Sequence, residues 1–234
     1  AHESGTSLSP SAMEINKRYF INEQGNSLFN GAADTALLDY AISDDAVWSC
    51  TTCYACVQVC PVGNEPMMDI LELRRKEVYD AKIPDELADV LRSLDEKGNS
   101  FNESARRRSR WSRTLDFKLK DATKEPVKYL WYVGDFASFN QICQDTTRKV
   151  AEVLMVAGVD FGIMGKKEKS AGNDVRRVGE EGLFEVLVEQ NIESIESCEF
   201  EEIFTTDPHT FNTLKNEYPE KGGNFPVKHY STLL

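Results

Sequence analysis

The 234-residue chain is short of positive charge, of histidine and of long apolar runs, and each shortage removes a class of function. Lys and Arg total 27 against 39 Asp and Glu, a net charge of −12. A surface of that sign does not neutralise a phosphate backbone, so nucleic acid is not an expected partner. No run approaches the roughly 18 apolar residues that a spanning helix needs, and none is expected within the chain. The first residues lack the charged-then-apolar pattern of a secretory signal. They begin at Ala1 rather than Met, which reads as a processed or partial chain. The histidines are His2, His209 and His229, with no two at zinc-ligand spacing. Gly158, Gly162 and Gly165 follow a helical pattern instead of opening one, so a dinucleotide fingerprint is absent, and no nucleophile elbow occurs. Outside one short run the cysteines are Cys143 and Cys198 alone. That is too few for a secreted disulfide framework, and it points to a reducing, cytoplasmic compartment.

What is present is concentrated. Cys50, Cys53, Cys56 and Cys60 lie within eleven residues, followed by Pro61. The run Cys-x2-Cys-x2-Cys-x3-Cys-Pro has the spacing by which bacterial ferredoxins hold [4Fe–4S] clusters, because two-residue gaps let successive thiolates converge on one cube of iron and sulfide. A structural zinc site and a disulfide framework are the other uses of such thiols. Zinc sites usually pair Cys-x2-Cys units across a longer gap, and disulfides between near neighbours are strained. In two-cluster ferredoxins the first three cysteines hold one cluster and the fourth reaches the other. Cys50, Cys53 and Cys56 are therefore expected to share one [4Fe–4S] cluster and Cys60 to ligate a second, both completed by thiolates from sequence outside this chain. Cys143 and Cys198 are the less favoured sources. Val57, Val59 and Val62 are expected to cover the cluster, and Trp48 and Tyr54 read as ordinary core aromatics near it.

The pattern along the chain predicts an α+β protein: an α-helical, ferredoxin-like cluster domain over 1–98, a basic linker over 99–124, and an α/β domain with a mainly parallel sheet over 125–234. In the first part, helices are expected from Ser9-Pro10, over Ala32–Ile42, over Pro66–Tyr79 with Pro66 in the first turn, and over Pro84–Leu94 with Gly98 as terminator. Met67-Met68 reads as core packing. The linker carries seven basic residues and one acid between Arg106 and Lys120, with Trp111 among them. It reads as a solvated loop or as an electrostatic dock for an acidic partner. Beyond it, apolar runs at Val127–Val133, Val159–Met164, Glu202–Thr206 and Pro226–His229 alternate with helical patterns at Ser138–Ala157, Glu180–Ile192 and Pro208–Tyr218, the signature of crossover helices on a parallel sheet. The acidic runs Glu180-Glu181 and Glu199–Glu202 read as solvated faces.

The segment WSCTTCYACVQVCPVGNEPMMDILELRR resembles the second ferredoxin motif of heterodisulfide-reductase-like iron–sulfur oxidoreductases, a group with the membrane-linked heterodisulfide reductase, the iron–sulfur subunit of glycolate oxidase and relatives linked to electron-transfer flavoproteins. The opening AHESGTSLSP resembles the residues just after that family's first cysteine motif. The resemblance implies that the missing thiolates lie just before Ala1. The second half resembles the family's cysteine-rich domain, where a Cys, a Cys-Cys pair and a Cys-x2-Cys hold a non-cubane cluster or a metal. Asp135 stands at the first of those positions, Ser170-Ala171 at the pair after 34 intervening residues, and Asp207 and Thr210 at the last two after 35 more. Every expected thiolate is replaced, and Asp, Ser, Ala and Thr do not supply the soft sulfur that iron–sulfide needs. The resemblance therefore implies a domain that has kept its fold and lost its cluster. Convergence of Asp135, Asp207 and His209 on a hard metal or a flavin edge is the less favoured reading.

These readings imply an iron–sulfur electron-transfer subunit of a larger oxidoreductase complex. It would pass single electrons through [4Fe–4S] clusters between a flavoprotein and a quinone or terminal reductase, in the cytoplasm beside a membrane-bound, quinone-reactive subunit. A catalytic heterodisulfide-reductase-like subunit whose active cluster lies outside this chain is the second reading, and a structural zinc module the third.

Overall fold

A computed structural model describes residues 5–31 and 36–233. The chain divides into two compact units, one of Ala1–Lys82 with Arg177–Glu180, the other of Ile83–Arg176 with Glu181–Leu234.

The first unit is helical. Helix α1, Pro10–Phe29, starts where Pro10 meets the Ser9 cap, whose hydroxyl accepts the Ala12 N–H at 3.3 Å. Its Met13 and Phe20 are buried. The helix expected over Ala32–Ile42 falls partly outside the described residues at 32–35. The remainder, α2 at Leu37–Tyr40, is a kinked turn, because Leu38 is extended (ψ 142°) and Asp39 is left-handed (φ 74°). Helix α3, Asp44–Trp48, is capped by Ser43, which accepts the Ala46 N–H. The single turn α4, Ala55–Gln58, lies inside the cysteine run, and α5, Pro66–Tyr79, comes after it with the predicted bounds. Leu8, Met13, Ile42, Ala46, Val47 and Ile70 form the core, with Cys50 packed at its margin.

The second unit carries a five-stranded, all-parallel sheet: β1 Lys120–Asp121, β2 Tyr129–Tyr132, β3 Phe161–Ile163, β4 Glu202–Thr205 and β5 Val227–His229, in the order β1-β3-β2-β4-β5. The α-helices that precede and connect these strands are α6 Asp85–Lys97, α7 Asp135–Phe139, α8 Gln141–Val156, α9 Asn173–Val178, α10 Glu181–Glu196 and α11 Pro208–Asn212. The fold is thus α+β. Leu130 pairs with Gly162 on one side and Ile203 on the other. Successive residues of β2 point to opposite faces, so Leu130 and Tyr132 enter one core with Phe184 and Leu187 of α10. Trp131 and Val133 enter the other with Ala151 and Leu154 of α8. Both faces are covered, which is why the strand reads as an unbroken apolar run.

Two boundaries differ from the sequence reading. Helix α6 belongs to the second unit instead of the first, since its Leu94 is buried with Leu130 and Ile203; Gly98 ends it in the left-handed region, as expected. The 99–124 segment is built into the same unit. It makes two tight helical turns, Ala105–Arg107 and Arg110–Thr114, buries Trp111 edge-on to Trp131 at 5.5 Å, and supplies β1. A two-residue, charged edge strand carries no apolar alternation by which a sequence could betray it.

Candidate metal centre

The four cysteines lie on one loop whose backbone is turned toward sulfur. Cys50 comes just after α3; Thr52 (φ 52°) and Tyr54 (φ 65°) then take left-handed conformations that non-glycine residues rarely adopt. Those turns fold the chain over before α4, which carries Cys56. The Thr52 N–H lies 3.4 Å from Cys50 Sγ and the Asn64 N–H 3.2 Å from Cys60 Sγ. The Ala55 N–H holds the exposed Cys53 thiol below its ordinary pKa, and burial pushes Cys56 up. N–H groups aimed at sulfur favour thiolate and tune a bound cluster. Thiols met by amide donors fit iron–sulfur ligation; the structure brings the four to one loop and not to one point. Among the described residues no three His, Cys, Asp or Glu side chains form a single-ion site. The expected apolar cover is not made by Val59 and Val62, which are 75% and 77% exposed. Trp48 stacks under the Arg74 guanidinium at 5.1 Å and donates from Nε1 to Asp44, while Tyr54 is exposed. Met67 is buried as expected and Met68 is not.

In the second unit, Asp135, Ser170, Ala171, Asp207 and Thr210 all line one cavity of about 590 Å³. It opens at the carboxyl ends of β2 and β4, where the chain order reverses, the usual ligand crevice of an open parallel sheet. The carboxylates are already engaged. Asp135 accepts from the Ser100 N–H at 2.9 Å and pairs with buried Arg108 at 2.7 Å. Arg108 also pairs with Glu168 at 3.1 Å, and Glu168 accepts the Val133 and Gly134 N–H groups. Asp207 caps α11, accepting from the His209 and Thr210 N–H groups and the Thr210 hydroxyl. This donor set does not fit an iron–sulfur cluster, and Asp135, Asp207 and His209 form no metal site among the described residues. Cys143 lines the cavity, while Cys198 packs against the core and contacts the Ser194 carbonyl. The Arg108–Asp135–Glu168 group has no sequence signal: Arg108 is indistinguishable from its neighbours Arg106 and Arg107 until its burial is known.

Residues 8–64 match the 4Fe-4S dicluster domain family, and residues 131–215 match the Cysteine-rich domain family. The chain is 32% identical to the probable iron-sulfur-binding oxidoreductase FadF of Bacillus subtilis over 99% of its own length and 36% of that protein. It is 31% identical to EtfAB:quinone oxidoreductase of Syntrophomonas wolfei, over 96% of this chain and 32% of that one. A 49-residue stretch is 43% identical to a subunit of the H(2):CoB-CoM heterodisulfide,ferredoxin reductase of Methanothermobacter thermautotrophicus, covering 21% of this chain and 26% of that protein. The chain belongs to the heterodisulfide-reductase-like iron–sulfur family. As a member it carries a [4Fe–4S]-type domain ahead of a cysteine-rich-type domain. The chain spans about a third of the length of the two longer-matching relatives, 36% and 32%. No solved structure matches it significantly. Among the described residues no helix is long and apolar enough to cross a membrane.

Proposed function

We propose that this chain is the iron–sulfur relay of a larger oxidoreductase, with Cys50, Cys53, Cys56 and Cys60 as cluster ligands. The first three share one [4Fe–4S] cluster. Cys60 ligates a second, and thiolates from outside this chain complete both. A bound cluster accepts and returns one electron at a time. The loop's part is to fix four sulfurs, aim N–H groups at them and carry them on the rigid α3–α5 frame. The Cys-x2-Cys-x2-Cys-x3-Cys-Pro run inside a dicluster-family match carries this reading.

The donor is a flavoprotein and the acceptor a quinone or terminal reductase. The name of one relative, which couples EtfAB to quinone, supports that pairing. Quinones are lipid-soluble, which puts the working place at a membrane-bound complex, and the free thiols favour its reducing, cytoplasmic side. The second unit positions partners and performs no disulfide chemistry, a reading supported by the replacement of every expected thiolate around its cavity. Anaerobic reconstitution with external thiol to complete the coordination, followed by iron, sulfide and zinc analysis, tests the reading. Iron with matching acid-labile sulfide, and a reduced-state paramagnetic signal lost in Cys56→Ser, are expected. Stoichiometric zinc, or a signal untouched by the substitution, would overturn it.

A further inference from the structure

Arg74, on α5, is 5% exposed, yet among the described residues no carboxylate pairs with it. Its guanidinium is spent on backbone carbonyls. Nε and Nη2 donate to Val47 at 3.2 and 2.8 Å, Nη2 also to Cys50 at 2.6 Å and more weakly to Trp48 at 3.4 Å, and Nη1 to Arg177 at 2.8 Å. The carbonyls satisfy the N–H groups and leave the charge uncompensated. Elsewhere in the protein a buried guanidinium is matched by carboxylates, as Arg108 is by Asp135 and Glu168. A buried charge without an opposite one is costly, and folds avoid it unless a partner arrives. The bond from Nη2 to the Cys50 carbonyl sets this cation beside the first sulfur-bearing residue of the run, so a negative group held by the cysteines is the partner within its reach.

We propose that Arg74 is the built-in counter-cation and positioning residue of the cluster held by Cys50, Cys53 and Cys56, and that it holds that cluster's reduction potential up. A cube of iron and sulfide bound by thiolates is net negative, and it gains one further negative charge when one electron enters. A fixed cation nearby stabilises the reduced form more than the oxidised one. The same residue clamps the carbonyls of Val47, Trp48 and Cys50, so the loop cannot rotate its first ligand away from the charge. Arg suits both tasks, because its planar fork reaches several acceptors while remaining charged.

The proposal rests on the cluster assignment above, and the test separates the two. The full chain, wild type, Arg74→Lys and Arg74→Gln, is reconstituted, iron and sulfide are counted, and the cluster is titrated with redox mediators while its reduced-state spectrum is followed. In Arg74→Gln the equilibrium constant for reduction is expected to fall at least tenfold, a downward shift of about 59 mV for a one-electron couple. Arg74→Lys keeps the charge and loses the fork, so it is expected to shift by less than half as much and to load less iron. An iron-loaded Arg74→Gln at the wild-type potential overturns the proposal. So does a Lys variant that falls as far as the Gln variant. If neither variant loads iron while both keep the wild-type circular dichroism spectrum, the residue acts through structure alone and the proposal also falls. A wild-type chain that binds zinc in place of iron, or that takes up no iron even with external thiol supplied to complete the coordination, defeats the cluster assignment itself.

Discussion

Arg108→Met removes the one cation from a buried group of three charges in the second unit. The side chains of Arg108, Asp135 and Glu168 are 3%, 7% and 1% exposed, so solvent screens none of them. Breaking a buried pair by deleting one partner costs about 3–5 kcal/mol, since the other charge is left buried. Two carboxylates are stranded here, but neither is bare. Glu168 keeps the Val133 and Gly134 N–H groups, and Asp135 keeps the Ser100 N–H. The lower end, about 3 kcal/mol, is expected. At about 2–4 °C per kcal/mol for a chain of this size, the melting temperature of the second unit falls by about 6–12 °C.

The loss depends on pH. Burial already raises the Glu168 carboxyl above its ordinary value, against the pull of Arg108, and removing that cation raises it further. A carboxyl whose folded pKa exceeds its unfolded one stabilises fully below the unfolded value and loses that contribution as pH rises through the folded value. The gap between variant and wild type should therefore be widest near neutrality and shrink as pH falls toward the ordinary glutamate range. Urea unfolding followed by tryptophan fluorescence, with Trp111 and Trp131 as reporters in that unit, measures it at several pH values. A gap below about 1 kcal/mol at neutrality, the size of an exposed pair, or one that does not change with pH, refutes the account of the buried triad.

In protein stripped of metal, Cys53 should be alkylated before Cys56 as pH rises, because an amide N–H favours the Cys53 thiolate and burial opposes that of Cys56. Peptide mapping after limited iodoacetamide treatment reads the order, and cluster loading should protect all four cysteines; equal rates at Cys53 and Cys56 would contradict the loop geometry. Asp207→Ala removes the cap of α11 and should lower stability by about 1 kcal/mol in urea titrations. Asp207→Asn, which keeps an acceptor oxygen, should recover most of it; equal losses would mean that the cap is not what Asp207 contributes. Leu130→Ala, fully buried in the central strand β2, should cost about 2–5 kcal/mol, and a smaller change would mean that this core is looser than described.

Much of this architecture is legible because its signals are local. Ser9-Pro10 and Pro66 mark helix starts, Gly98 a helix stop, and the apolar run around Leu130 a strand covered on both faces. The cysteine spacing is likewise local and needs no tertiary information. Resemblance alone places the replaced positions Asp135, Ser170, Ala171, Asp207 and Thr210, and the structure gathers all five around one cavity. What escapes depends on contacts distant in sequence. The charge on Arg108 reads as surface until Asp135 and Glu168 are seen around it, 27 and 60 residues away. Strand β1 is too short and too polar to show a period. Val59 and Val62, apolar beside cysteines, read as cover for a cluster and instead face outward, because no periodicity exists over so short a loop to tell inside from outside.

The most direct test counts iron in the reconstituted full chain and in its Cys50→Ser, Cys53→Ser, Cys56→Ser, Cys60→Ser quadruple variant. All iron and acid-labile sulfide should be present in the first and absent from the second, with the fluorescence of Trp111 and Trp131 unchanged. Iron or sulfide retained by the variant would place a cluster elsewhere in the chain and contradict the account.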